Sequence, residues 1–269
     1  AVERLPQVEV PQRVRDIRVL IAELQRLASH LVWLGTHALE IGAISVMMYC
    51  FREREQLLNV NEMLAGFRMF PSYMRVGGLR EDLPRGFHAA VLAFLDGFGP
   101  KLDEYEDLLT KNEIYLKRTQ GVGVISKEDA VAYSLLGPIA RAAGVDYDVR
   151  KYFPYNGYET YDFAVPTQTR GDVYSRYLVR IAEMRESLKI VQQAIENLPA
   201  GPVNVGIDQR TALPGKRQVY STIEGLISHF ELSMSNRGFE TPHEAMYSAI
   251  ESSNGELGVY LVGRSAEHT

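Results

Sequence analysis

The chain has 269 residues, 46% of them hydrophobic and 23% charged, with a formal net charge of −5. That length and apolar share can bury one large core or two small ones, and the charge balance leaves no basic footprint for nucleic acid. The single cysteine, Cys50, rules out an internal disulfide and a four-thiolate zinc or iron–sulfur site made by this chain alone.

The opening stretch, Val2 to Val10, is polar and broken by Pro6, unlike a secretory signal. After Pro11, Val14, Ile17, Ile21, Leu24, Ala28 and Leu31 recur at spacings of three and four. This predicts a long helix over 11–33 with Arg13, Arg15, Arg18 and Arg26 on its other faces. A second helix is predicted from Thr36 to Phe51, bending near Gly42, and a third from Glu53 to Ala65. The most apolar run, Ile41 to Phe51, is shorter than the roughly 18 residues that span a bilayer.

Residues 71–86, with their prolines and paired glycines, read as a loop. Helical pattern resumes from Phe87 to Glu113, interrupted at the Gly-Phe-Gly-Pro of 97–100. "GVGVIS" reads as a short strand or extended turn before a helix capped by Ser126, with Asp129 at its third position. Residues 147–166 carry five tyrosines and fit neither period, so an ordered loop is expected. Gly171 to Leu198 is a long helix with Tyr174, Leu178, Ile181, Met184, Leu188 and Val191 in register. A Pro/Gly-rich connector, 199–217, precedes a helix over Val219 to Ser235 and a β-hairpin centred on Asn254-Gly255. The sum is a mainly α, bundle-like fold of about six helices with a small β element near the C-terminal end.

Chemistry is sparse. His30 and His37 share a helix face but stand about 10 Å apart along the axis, too far for one metal ion. His37 and Glu40 could share an ion, but no third ligand is evident. Helix-bundle di-metal sites need two Glu-x-x-His pairs, and only Glu240-x-x-His243 is present, with Pro242 inside it. No metal site is therefore expected. There is no Gly-x-Ser-x-Gly, Cys50 has no histidine partner, and neither "GPIARAAG" nor "GVGV" matches a phosphate loop. The tyrosine-rich loop suits either stacking on a ligand or packing of the loop itself. Glu40, between Leu39 and Ile41, has two readings: an ion-pair partner for Arg52 or Arg54, or a functional carboxylate. The run Arg52 to Glu55 reads as a solvated helix start.

"IRVLIAELQRLASHLVWLGTHALEIGA", "FRERE", "RVGGLREDLP", "LDEYEDLLTKNEIYLKRTQGVGVIS", "GVDYDVRKYFPY", "RGDVYSRYLVRIAEMRESLKI" and "GELGVYLV" resemble, in order and spacing, the quinone-site subunit of respiratory complex I. This is the 49-kDa, or D, subunit family of NADH–quinone oxidoreductase, and the resemblance runs from Pro11 to Val262. It implies one domain over 1–269, with the mostly α fold of a nickel–iron hydrogenase large subunit but without nickel ligands. It also implies a quinone-chamber component of a proton-translocating enzyme. Val32, Thr36, Glu40 and Met48 would line the chamber, with Glu40 as the carboxylate that helps bind and protonate the quinone. The implied substrate is quinone; NAD and the iron–sulfur clusters would be held elsewhere in the complex. The implied partners are the subunit carrying the terminal tetranuclear cluster and the membrane subunit of the quinone channel. The implied place is the cytoplasmic face of the bacterial membrane, peripherally bound.

Departures qualify that expectation. The family's aspartate is Glu40 here, its "TPFF" is Ser45-Val46-Met47-Met48, and its histidine in "ARMH" is Phe70. The family's N-terminal segment, with a histidine and a tyrosine that meet the quinone headgroup, is not seen before Ala1. The chain is accordingly expected to be a fragment, a split subunit or a divergent paralogue, inactive on its own, and prone to self-association through uncovered apolar faces. Two other readings stand beside the enzyme component: a non-catalytic assembly protein on the same scaffold, and the large subunit of a membrane-bound hydrogenase-related complex.

Overall fold

The computed structural model describes residues 2–205, 213–234 and 244–263. After a 3-10 turn at Val2–Arg4, helix α1 runs over Gln12–Glu40 and α2 over Ile44–Ala65. The short ladder of β1 (Met74–Arg75) and β2 (Gly78–Leu79) leads to α3, Phe87–Leu109. Four short helices follow: α4 (Glu113–Thr119), α5 (Lys127–Ala132), α6 (Gly137–Ala142) and α7 (Val149–Tyr152). The long helix α8 spans Val173–Glu196, and α9 (Lys216–Ser221) and α10 (Ile223–Ser233) precede the hairpin of β3 (Ala245–Ser252) and β4 (Gly255–Val262). Among the described residues no helix is long and apolar enough to cross a membrane.

The mainly α architecture is as the periodicity predicts, but several boundaries move. Helix α1 does not stop near residue 33. Gly35 lies where a Cβ would sit 3.4 Å from Cys50, Met47 and Phe51, so α2 packs closely there and α1 continues to Glu40. The chain turns at Gly42, with φ +96, and α2 then runs unbroken through Arg52 to a left-handed Gly66, replacing the two predicted helices. Helix α3 likewise runs straight through Pro100. Phe94, Phe98, Leu102, Tyr105 and Leu109 keep one buried register across it, and that burial outweighs the missing N–H.

The core forms where α1 packs between α2 and α8. Because α1 is enclosed on more than one face, Arg18 and Arg26 are buried with the apolar residues rather than standing off the core. On α8 the buried line is Tyr177, Ile181, Met184 and Val191, while Tyr174, Leu178 and Leu188 are only half-buried. Ser126 caps α5 by accepting from the Asp129 amide at 3.0 Å, as its spacing predicts. The expected helix over Val219 to Ser235 is divided: Thr222 ends α9 and caps α10, its hydroxyl accepting from the Gly225 amide. The tyrosine-rich loop is ordered, holding α7 and a 3-10 turn at Tyr158–Thr160, with Tyr158 and Tyr161 buried.

The hairpin pairs Ser252 with Gly255, so its loop residues are Ser253 and Asn254, one position earlier than the Asn-Gly signal suggests. It docks by its tip. A Cβ on Gly137 would lie 2.3 Å from the Asn254 carbonyl, and Gly137 itself takes φ +64. Gly137→Ala is therefore expected to lower the urea-unfolding free energy by roughly 2 kcal/mol or more, through left-handed strain plus the clash. Gly97→Ala, with nothing within 4 Å on a helix, is expected to be neutral or stabilising by up to about 1 kcal/mol. Equal effects from the two would contradict this docking.

Candidate functional site

Val32, Thr36 and Glu40 succeed one another at four-residue intervals on α1, a stripe that goes from half-buried at Val32 to exposed at Thr36 and Glu40. The Thr36 hydroxyl donates back to the Val32 and Trp33 carbonyls at 2.9 and 3.1 Å, so towards solvent it offers lone pairs only. Glu40 is the last residue of α1 and is exposed, which corrects the expectation of a carboxylate within an apolar helix. Arg52 contacts Glu53 and Glu104, and Arg54 lies over the Phe51 ring. Neither pairs with Glu40, and among the described residues no cation does.

The start of α2 continues this surface. Ile44, Met48 and Phe51 recur on one helical face and are 55%, 60% and 37% exposed, an apolar strip beside the end of α1. Within "FRERE" the buried carboxylate is Glu53, accepting from Arg52 and Gln56, so that run is not simply a solvated helix start. Cys50 lies fully buried in the α1–α2 seam, and burial pushes its thiol up to about 12.

Behind the stripe sits an aromatic stack. His37 lies flat on Trp33 at 4.8 Å, its Nε2 is 3.0 Å from the Tyr115 hydroxyl, and the Arg180 guanidinium lies over the Trp33 ring at 4.3 Å. Burial first, then Arg180 and Arg176, depress the His37 pKa, so the imidazole is neutral at physiological pH. Burial also depresses His30, about two turns deeper in the core. Among the described residues no three His, Cys, Asp or Glu side chains converge as a metal site, and the Glu240–His243 pair falls outside the described residues.

The largest polar feature, a buried ionic network, has no counterpart among the features read from the sequence. Arg141 donates from Nε to Glu183 at 2.8 Å and from Nη1 to Glu251 at 2.9 Å, with Asp148 at 3.7 Å. Arg150 grips Asp148 with Nε and Nη2 and reaches Glu23 at 3.1 Å. Glu23 also accepts from Tyr158, Ser187 and Arg26, and His30 Nε2 stands 3.0 Å from Glu183. A signal for it exists: Glu23, Arg26 and His30 recur at helical spacing inside an apolar run, as do Arg180, Glu183 and Ser187. Burial alone would raise these carboxyls. Arg26 and Arg150 with the Tyr158 and Ser187 hydroxyls outweigh it at Glu23, and His30 with Arg141 at Glu183, holding both down to about 2. Glu251 goes the other way: burial raises it, Asp148 reinforces the rise, and Arg141 only partly opposes it.

Comparison with known proteins adds the family. Residues 40–269 match the family described as respiratory-chain NADH dehydrogenase, 49-kDa subunit. The D-type NADH-quinone oxidoreductase subunit of Geotalea uraniireducens is 51% identical over 262 residues, covering 97% of this chain and 66% of that protein. The second D-type subunit of Roseiflexus sp. is 53% identical over 265 residues, covering 97% of this chain and 63% of its own length. The second D-type subunit of Chloroflexus aurantiacus is likewise 53% identical over 265 residues, with 97% and 64% covered. The chain thus spans about two thirds of the length of these relatives.

The ionic network makes stability pH-dependent with a definite sign. Glu23 and Glu183 have folded-state values below their ordinary one, so their stabilisation is complete above the unfolded value of about 4.3 and is lost as pH falls from there. Each contributes roughly 3 kcal/mol over that window. Glu251 acts in the opposite sense, its contribution being lost as pH rises through its raised value. Urea titrations should show unfolding free energy falling steeply between about pH 5 and pH 2, and less steeply in Glu183→Gln. An identical acid slope in that variant would contradict the assignment.

Proposed function

This chain belongs to the family of the 49-kDa subunit of respiratory-chain NADH dehydrogenase, and we propose that it forms one wall of a quinone-reduction chamber in an NADH:quinone oxidoreductase. The carrying observation is the exposed face at the end of α1. An unpaired carboxylate, Glu40, and an acceptor-only hydroxyl, Thr36, lie beside the uncovered apolar strip of Ile44, Met48 and Phe51. An amphipathic ring with two carbonyl oxygens needs such a surface, an apolar wall with few placed polar groups.

The polar groups divide by their hydrogen-bonding capacity. A quinone carbonyl accepts and does not donate, so Thr36, whose proton is committed to backbone carbonyls, meets it poorly. Once reduced, the quinol hydroxyl donates, and Thr36 can accept from it. Glu40 acts in both states. Protonated, it donates to the carbonyl oxygen; ionised, it accepts from the hydroxyl, so it can pass a proton as the oxygen gains charge. Reduction of the quinone takes up two electrons and two protons in all. The electrons would be supplied by the terminal iron–sulfur cluster of a partner subunit, with NAD held elsewhere in the assembly. Met47 and Met48 in place of bulkier residues make the wall adaptable. The chain would attach peripherally, at the cytoplasmic face of the membrane.

A second reading, an assembly paralogue without the chemistry, is favoured by Phe70. It occupies the family's histidine position and is 88% exposed at φ +54, unable to exchange a proton there. Substitution separates the two readings. In the assembled complex, Glu40→Gln is expected to slow quinone reduction about tenfold or more with assembly intact, and His37→Asn to have the milder effect because its ring is held by Trp33 and Tyr115. Full turnover in Glu40→Gln, with loss in His37→Asn, would sink the chamber assignment and leave the paralogue reading.

A further inference from the structure

Away from the α1 face, a pocket of about 430 Å³ opens between the end of α7 and the hairpin, within the size range of small-molecule sites. Tyr147, Tyr152, Phe153 and Tyr247 supply aromatic walls, and Glu256 and Arg4 supply charges of opposite sign. Tyr147 and Tyr152 stack at 5.6 Å, while Tyr152, Phe153 and Tyr247 are each more than half exposed, although burial usually claims such rings.

The charges in this pocket differ from those of the buried network. Glu23, Asp148, Glu183 and Glu251 all touch a guanidinium. Glu256, half-buried, has only tyrosine hydroxyls: Tyr147 donates to Oε2 at 2.8 Å and Tyr247 to Oε1. Among the described residues no cation reaches Glu256 and no carboxylate reaches Arg4. The two hydroxyls orient the carboxylate without neutralising it. Burial, and then Glu256, push the Tyr147 hydroxyl up to about 12, so it stays a donor throughout the physiological range.

We propose that this pocket binds a small zwitterion, its ammonium group against Glu256 and the aromatic rings and its anionic group against Arg4. A simple cation would be repelled by Arg4 and a simple anion by Glu256, whereas a ligand carrying both signs completes both. Aromatic walls around a carboxylate favour an alkylated ammonium, which keeps its charge yet sheds water easily. The same chemistry is offered by free phosphocholine and by the headgroup of phosphatidylcholine.

Calorimetric titration of the full chain tests this, with phosphocholine as probe and 3,3-dimethyl-1-butanol as its uncharged shape match. Phosphocholine should bind one to one and the alcohol at least about tenfold more weakly. Glu256→Gln keeps the volume, its amide oxygen accepting from one tyrosine hydroxyl and its amide nitrogen donating to the other, and removes the charge, so it should weaken phosphocholine about tenfold. Arg4→Gln, at an exposed position that cannot unfold the hairpin, should weaken phosphocholine and leave choline unaffected or tighter. Co-sedimentation with phosphatidylcholine vesicles identifies the source: vesicle binding lost in Glu256→Gln means a lipid headgroup, and binding of the free probe alone means a soluble solute. Equal affinity for the uncharged alcohol, unchanged affinity in both variants, or no binding in either format would overturn the proposal.

Discussion

Arg141 is the constraint around which the rest of the molecule is placed. Its guanidinium is fully buried and cannot shed its proton, so anions must surround it. They come from three separate places: Glu183 on α8, Asp148 at the cap of α7, and Glu251 on β3. Glu23 and Arg150 extend the network to α1, and Arg26 carries it on to the hairpin by donating to the Ser252 and Glu251 carbonyls at 2.7 and 2.6 Å. Desolvation cancels much of what these contacts would gain. Their effect is positional. A hairpin that would be marginal alone is held against the helices in one register, by charge within and by the Gly137–Asn254 contact at its tip.

Helix α1 passes from one environment to another along its length. Through Leu34 it is enclosed and carries buried charge met by partners: Arg18 by Glu3 and the β1 and β2 carbonyls, Asp16 by Tyr161, and Glu23, Arg26 and His30 by groups that include those of α7, α8 and β3. Its last turn emerges, and there Thr36 and Glu40 have no such partners. Arg118 fastens this end by donating to the Ile41 carbonyl at 3.0 Å, and the His37–Tyr115 contact ties it to α4. A free carboxylate on an anchored helix end is placed by the fold rather than by its own interactions.

The long helices are legible in the sequence where an apolar stripe recurs without interruption, as in α1 and α8. Glycines and prolines mislead. The helix end expected near residue 33 and the interruption expected at 97–100 are not breaks: Gly35 admits a neighbouring helix, and Pro100 is carried through by a continuous buried face. The apolar neighbours of Glu40 suggest burial, but Leu39 and Ile41 lie near the end of the helix, where adjacency along the chain says little about enclosure. Conversely, the spacing of Glu23 and Glu183 hints at burial but does not name the cross-chain partners that make the network, because these are distant in sequence. Glu23 and Arg150, for example, are 127 positions apart. Local periodicity cannot report such pairing, whereas ordered blocks of sequence report the family at once.

Cys50 gives the seam between the first two helices an internal reporter. Its sulfur is fully enclosed beside Gly35 and its pKa is pushed up to about 12, so almost no thiolate exists at neutral pH. Alkylating reagents and peroxide can reach it only when α1 and α2 part. The rate at which this one side chain is labelled therefore measures how often the helix pair breathes, and a ligand or binding partner that clamps the pair should slow that labelling without touching the cysteine itself.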